Sequence, residues 1–445
     1  MTKPLGQAEW DVFRSYARRI RHVLSFHSQL DCESLVTFLD PLGADPLLPN
    51  LRTLCSPYAD PSISLLRLPF PSLVHLNLSF YDHRVVQDAI ESFSKHSPKI
   101  TQLRITFVTG DSRPQKFNPD HVCCWRNLHS VICPNVALDV DALVHLSRLP
   151  MLATLKFMLS VVFPASDPHS APFPSLQVLQ LTSGESLDLI SRLLSQTRSS
   201  VLTFVTGTIL HRPSRQELLS SLAAFRASGS FPTVEIIGLE QLEWDPSLPK
   251  TAHDPGAAVL DSDILQPCMA FRSLRCLTLD IQCNVTLTSN QVLMLASEWP
   301  KLKQLSINAS WGWNSGGGIT PCGLVQLLKA CRSLMKLALC FDTRGYTEVP
   351  TSCMLDNLQS ELEAVYVLDS ALETHCVDAI SMFFCRLVAS CKSGLNLCNW
   401  GEAIRDFPEM EEHERRWDYV SDQVNDAVTR RFGPWGPDFE PGLLE

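Results

Sequence analysis

Four residues that lie close together have side chains able to bind a metal: His121, Cys123, Cys124 and His129. Imidazole and thiolate suit a tetrahedral zinc ion, but adjacent cysteines rarely converge on one ion. No C-x-x-C pair occurs anywhere in the chain to complete a four-ligand set, so no metal site is expected. A second candidate is WGWNSGGG, Trp311 to Gly318, a glycine-rich stretch directly after a strand-like run. A phosphate-cradling loop would need Gly-Lys-Ser or Gly-Lys-Thr next, and Ile319-Thr320-Pro321 follows instead. The carboxylate pair Glu411-Glu412 lies in a highly charged helical run, where a solvated face accounts for it. The chain has no G-x-S-x-G elbow, no H-E-x-x-H and no dinucleotide fingerprint. Its histidines pair with no obvious nucleophile. The expectation is a non-enzymatic chain with no catalytic residue, no cofactor and no metal.

Charge and cysteine usage narrow the class. The 37 basic and 47 acidic residues leave a net charge of −10, which disfavours nucleic-acid binding through a basic footprint. The segment after Met1 lacks the apolar core and small-residue cleavage site of a secretory signal. The longest apolar candidate, Met151 to Phe163, is too short to span a bilayer and carries Lys156. Cys276, Cys331 and Cys385 sit within apolar runs, where a reduced thiol behaves as a small hydrophobe. These features predict a cytoplasmic or nuclear protein with free thiols and no membrane contact.

What positions the remaining residues is a repeat. The chain holds 66 leucines, and they recur in an L-x-x-L-x-L core often introduced by an aromatic residue and proline. Examples are FPSLVHLNL (Phe70–Leu78), FPSLQVLQL (Phe173–Leu181), FRSLRCLTL (Phe271–Leu279) and WPKLKQLSI (Trp299–Ile307). The first core positions are Leu51, Leu73, Ile100, Leu128, Leu152, Leu176, Val234, Leu274, Leu302, Leu334 and Leu362, most of them 22 to 32 residues apart. A 58-residue step from Leu176 to Val234 leaves room for a degenerate copy near Leu202 and Phe204. Alternation within L-x-L is strand-like, whereas Val85, Val86, Ala89, Ile90 and Phe93 form a helical stripe. Thr288 with Gln291 has capping-box spacing, and Thr320-Pro321 reads as an N-cap followed by proline at the first helical position. One strand plus one helix cannot bury its own apolar faces, so copies must stack. The fold class predicted is α/β: a leucine-rich-repeat solenoid with a parallel sheet on the concave face and helices on the convex face. Where such repeats commonly place Asn or Cys, this chain has Tyr81, Gly184, Gln282, Ser310 and Asp342, which predicts an irregular horseshoe.

Breaks in the pattern give the domain boundaries. Residues 1–47 read as an N-terminal helical cap, with Trp10, Phe13, Tyr16, Ile20, Val23 and Leu24 at helical spacing. Residues 48–391 form the repeat domain of about 11–12 copies, with a loop insertion near 244–270 that is rich in Pro, Asp and Ala. Residues 392–445 read as a C-terminal capping helix, with Trp417, Val420, Val424 and Val428 in phase, followed by a tail. Side chains between the core leucines project from the opposite face of the sheet and make it a partner-binding surface. The candidates there are Asn77, Arg104, Lys156, Gln180, Gln304 and Asn308, flanked by Trp311 and Trp313, which are either aromatic anchors for a partner or rings packed onto the rim of the next repeat.

Five segments, in order, resemble a known family: PLGQAEWDVFRSYARRIRHV (Pro4–Val23), the FPSLxxLxL units, WGWNSGGGITPCGLVQLL (Trp311–Leu328), LDSALETHCVDAISMFF and EEHERRWDYVSDQV. The chain resembles the F-box/leucine-rich-repeat-like proteins of mushroom-forming basidiomycete fungi over nearly its whole length. That resemblance implies the substrate-recognition part of an F-box subunit of a cullin–RING ubiquitin ligase, with the repeats holding a target protein. The family's F-box should precede the Pro4–Val23 segment, and no recognisable F-box stands before Trp10. The ligase linker subunit is therefore expected as a partner only if an F-box lies upstream. The alternative is a stand-alone repeat scaffold or inhibitor unrelated to ubiquitin.

Overall fold

Leucine at alternate positions buries one edge of each strand, and in-register stacking places like positions side by side. The computed structural model describes residues 6–24, 46–59, 69–80, 83–107, 115–116, 122–164, 172–227, 232–242, 258–313, 318–349, 355, 358–398 and 408–433. It divides into two units, Met1–Glu185 with Arg192–Leu202, and Ser186–Ser191 with Thr203–Glu445.

In the first unit the strands are β1 (His22–Val23), β2 (Thr53–Ala59), β3 (His75–Phe80), β4 (Gln102–Phe107), β5 (Gln115–Lys116), β6 (Ser130–Leu138), β7 (Thr154–Leu159) and β8 (Val178–Ser183). All but β5 form a parallel sheet in the order β1-β2-β3-β4-β6-β7-β8, and β5 lies along β6. Leu54, Leu76, Leu103, Val131, Leu155 and Leu179 are direct register partners across five strand pairs. All six are buried, each contributing about 2 kcal/mol by removal from water. Just before the strands a second ladder runs through main-chain bonds: Val74 N–H to Arg52 O, Thr101 to Val74, His129 to Thr101, Ala153 to His129 and Gln177 to Ala153. The introductory aromatics Phe70, Trp125 and Phe173 are buried, and the Trp125 indole donates to Ser97 O at 3.0 Å. The His83–His96 helix buries Val86, Ala89, Ile90 and Phe93, four of the five stripe residues named above. In the Val140–Ser147 helix, Asp139 caps the amide of Ala142 at 2.8 Å.

In the second unit the strands are β9 (Phe204–Ile209), β10 (Ile236–Gln241), β11 (Val259–Leu260), β12 (Cys276–Asp280), β13 (Asn284–Val285), β14 (Gln304–Ile307), β15 (Lys336–Ala338), β16 (Ala364–Tyr366) and β17 (Asn396–Cys398). The parallel sheet runs β9-β10-β12-β14-β15-β16-β17, while β11 and β13 pair separately. Its buried ladder is Val205, Ile237, Leu277, Leu305, Leu337, Val365 and Leu397. Both helix starts named from sequence form: Thr288 and Gln291 make a reciprocal capping box, and Thr320 Oγ1 accepts from Gly323 N–H at 3.1 Å with Pro321 at the first helical position. Gly323 has to be glycine for packing, because a Cβ there would lie 2.4 Å from Ser289 Oγ. Each unit is thus a leucine-rich-repeat solenoid segment, parallel strands on one side and helices on the other.

Four expectations need correction. The helix of residues 1–47 ends at Ala17, and His22–Val23 pairs in parallel with Thr53–Leu54 as a strand of the sheet. Past Ala17 the apolar residues are therefore out of helical phase, leaving Ile20 and Leu24 exposed. Residues 259–270 of the insertion near 244–270 are regular secondary structure and not loop. There Val259–Leu260 pairs with β13 and a short helix over Ser262–Leu265 is capped by Asp261, so this stretch supplies a helical layer. Residues 243–257 lie outside the described residues. Beyond residue 391 the chain adds β17, a further repeat strand whose single leucine, Leu397, was too little pattern to recognise. Finally, Cys322 is disulfide-bonded, whereas Cys276, Cys331 and Cys385, the thiols named from sequence, are free. Sequence spacing speaks to disulfide frameworks and not to one cysteine placed by the fold.

Candidate interaction surface

On the first unit's sheet the leucines point toward the helices, so the residues between them face outward in register rows. One row is Thr53, His75, Gln102, Ser130, Thr154 and Val178; the next is Cys55, Asn77, Arg104, Ile132, Lys156 and Gln180. Neighbouring members hydrogen-bond to each other. His22 Nδ1 lies 3.0 Å from Thr53 Oγ1, His75 Nδ1–H donates to Gln102 Oε1 at 2.7 Å, and Ser79 and Thr106 hydroxyls are 2.8 Å apart. Arg104 is exposed, and Asn77, Lys156 and Gln180 are half-buried. The sequence placed these four residues on this surface, and the strand register brings them into one row.

The second unit's face differs. Gln304, half-buried, lies between Cys276 and Lys336 in one row. Glu240 and Asp280 are direct register partners on β10 and β12. Asp280 accepts from both the amide and the hydroxyl of Ser310, at 2.9 and 2.6 Å. Withdrawal from water raises the Asp280 carboxyl pKa against those two bonds, which lower it. Glu240 is raised by its own loss of hydration and then by the charge of Asp280. Sequence reasoning missed this carboxylate pair, because the two residues are 40 positions apart and only the register joins them. Ser310, standing where such repeats commonly place Asn, was the available signal.

Three residues of the Trp311 corner take different roles. Asn308 is fully buried, with φ +55°. Its amide accepts from Ile281 N–H at 3.1 Å and donates to the carbonyls of Cys283 at 3.0 Å and Gly312 at 3.1 Å. It ties successive repeats together and is absent from the outward face. The left-handed backbone at Asn308 breaks the alternation that had placed it there, and Asn tolerates that conformation better than most residues. Trp313 is likewise fully buried, its indole donating to Ile307 O at 2.9 Å and its amide to Asp369 Oδ1 at 2.8 Å. Gly312 permits this corner: φ is +73°, and a Cβ would meet Asp369 Cγ at 2.7 Å. Trp313 is therefore a packing residue, and only Trp311, half-buried, keeps part of its ring at the surface. Residues 314–317 of the glycine-rich stretch lie outside the described residues.

Chemistry elsewhere is quiet. Burial pushes the thiols of Cys133 and Cys268 up to about 12 and those of Cys283 and Cys331 up to about 11, which keeps them protonated at neutral pH. Among the described residues no three His, Cys, Asp or Glu side chains are grouped to hold a metal, and no helix is long and apolar enough to cross a membrane. His121 lies outside the described residues, Cys124 is exposed, and the His129 ring bonds to Asn127 O at 2.9 Å. By residue type alone the Ser214–Glu217–His211 group resembles a catalytic trio. Glu217 sits at its centre, accepting from Ser214 N–H and Oγ–H at 2.9 Å, so the trio is a helix cap.

No family model and no curated protein matches the chain. Among solved structures, a TLR13–ssRNA13 complex is similar with a TM-score of 0.33 and 12% identity, over 81% of this chain and 52% of that one. The chain spans about half the length of that protein.

Proposed function

We propose that this chain is a protein-interaction module that holds its target on the outward face of its sheets. The observation that carries this reading is the pair of mostly polar, partly exposed side-chain rows in register on the first unit's sheet, Thr53 to Val178 and Cys55 to Gln180. A surface of side chains on a rigid hydrogen-bonded ladder loses little entropy on binding, which favours recognition of another macromolecule. The reading assigns no reaction, cofactor or metal to the chain. Within this reading, the resemblance of five ordered segments supports a finer role as the target-holding part of an F-box-type ubiquitin-ligase subunit in the cytoplasm or nucleus.

A photo-crosslinking amino acid at Gln102 or Gln180 is expected to trap a defined set of proteins in cells. The same probe at Asp88, exposed on the helical side, should trap none of that set. Equal trapping at both sides would reject the surface. For the finer role, the protein tagged at its own locus should co-purify with a cullin and the linker subunit; recovery of neither would leave a stand-alone scaffold.

A further inference from the structure

The chain as a whole is acidic, with a net charge of −10, yet the first unit's outward face is not. Among the described residues its rows carry two permanent cations, Arg104 and Lys156, together with His22 and His75, and no carboxylate. The described acids of this unit lie off these strands: Glu9 and Asp11 in the Gln7–Ala17 helix, Asp88 and Glu91 in the His83–His96 helix, and Asp139 and Asp141 at the start of the Val140–Ser147 helix. Glu185 comes after the end of β8. Neither Arg104 nor Lys156 is ion-paired with a described residue, although ion pairs occur elsewhere, such as Lys95–Glu91 and Arg344–Asp342.

Register also fixes their spacing. Arg104 pairs with Ile132, and Ile132 with Lys156, so the two cations are two strand steps apart with an apolar residue between them. Two steps come to about 10 Å. An extended chain laid across the strands repeats a side-chain position every three residues at about the same distance.

We propose that the first unit's sheet face binds an acidic, extended peptide segment of the target, with two anionic side chains three residues apart set on Arg104 and Lys156 and an apolar residue over Ile132. This deepens the reading of the sheet as a docking surface and rests on it. Unpaired cations in an otherwise acidic molecule give both attraction for this segment and rejection of basic ones. A nucleic acid fits less well, because two cations neutralise few phosphates and the two rows hold no Phe, Tyr or Trp for base stacking.

The test uses the purified full chain and three fluorescent probes. One is a peptide with glutamate at every third position and leucine and serine between. The second replaces each glutamate by lysine, and the third is a single-stranded RNA. The glutamate peptide should bind, weaken with added salt, and lose at least about tenfold in affinity when Arg104→Glu and Lys156→Glu are combined. The same variant should gain affinity for the lysine peptide while its circular dichroism and melting temperature stay unchanged. Undiminished binding of the glutamate peptide by the double variant, or no binding by the parent chain, overturns the proposal. RNA binding tighter than that of the glutamate peptide, and lost with the same variant, overturns it in favour of a nucleic-acid face. Crosslinking from Gln102 separates the two levels: targets trapped equally by parent and charge-reversed chains keep the docking surface and remove the acidic segment, whereas loss of trapping from both faces removes the docking surface itself.

Discussion

Asn308 and Trp313 show how a single backbone angle redirects a side chain. In an uninterrupted strand Asn308 would project outward; at φ +55° its amide turns inward and takes three hydrogen bonds. Replacing it by alanine leaves buried main-chain partners unsatisfied and keeps a left-handed backbone without the residue type that tolerates it. We expect Asn308→Ala to cost about 3 kcal/mol. Asn308→Gly should recover only the conformational share, and chemical denaturation of both variants measures the split. If the two variants lose equally, the backbone angle contributes nothing. Trp313 belongs with the core for the same reason. Trp313→Ala is expected to cost about 3–5 kcal/mol and lower the melting temperature by several degrees. A variant that melts normally would return Trp313 to the surface.

Elements carry the next level, and here the sequence was most readable. Eleven of the parallel strands follow recognisable L-x-x-L-x-L units, from Leu51 through Leu362, and β9 fills the gap left near Leu202 and Phe204. Short strands with little leucine escaped: β1 has only His22 and Val23, and β17 has Leu397 alone. Both depend on a neighbour's edge for their conformation, a tertiary effect that periodicity cannot display. The face residues Asn77, Arg104, Lys156 and Gln180 were legible because alternation held through their strands. The Glu240–Asp280 pair was not, since adjacency across strands is set by register. That pair has a consequence for stability. A carboxyl whose folded pKa is raised contributes stability below its unfolded pKa, and that contribution is lost as pH rises through the folded value. Glu240 and Asp280 are both raised, so their ionisation opposes folding at neutral pH. Glu240 is exposed, so solvent screening keeps the effect small: Glu240→Gln should raise the melting temperature at pH 7 slightly, with the gain shrinking toward zero in acid. Thermal scans across pH check this, and a variant less stable at pH 7 than its parent would contradict it.

Across the whole molecule, each solenoid segment has to close its ends, because the last repeat otherwise exposes a core face. The Pro408–Phe432 helix does this for the second unit. Its Trp417 indole donates to Ser370 O at 2.8 Å and packs edge-on against Phe384, with ring centroids 6.0 Å apart, while Ser421 donates to Leu397 O at 3.0 Å. A chain ending before Pro408 should bind a hydrophobic dye and aggregate, as light scattering would report. A stable monomer from that chain would show that the helix is dispensable.

The sheets are the proposed working surface, and one comparison tests this directly. Two full-length variants would be expressed in cells: one with Asn77, Gln102, Arg104, Lys156 and Gln180 changed to alanine, and one with the exposed helix-side residues Asp88, Lys95 and Asp141 changed likewise. Quantitative proximity labelling then reads the proteins near each. With melting temperatures equal to the parent's, the sheet variant is predicted to lose a defined set of neighbours that the helix-side variant keeps. The opposite pattern, neighbours kept by the sheet variant and lost by the helix-side variant, would contradict the central claim.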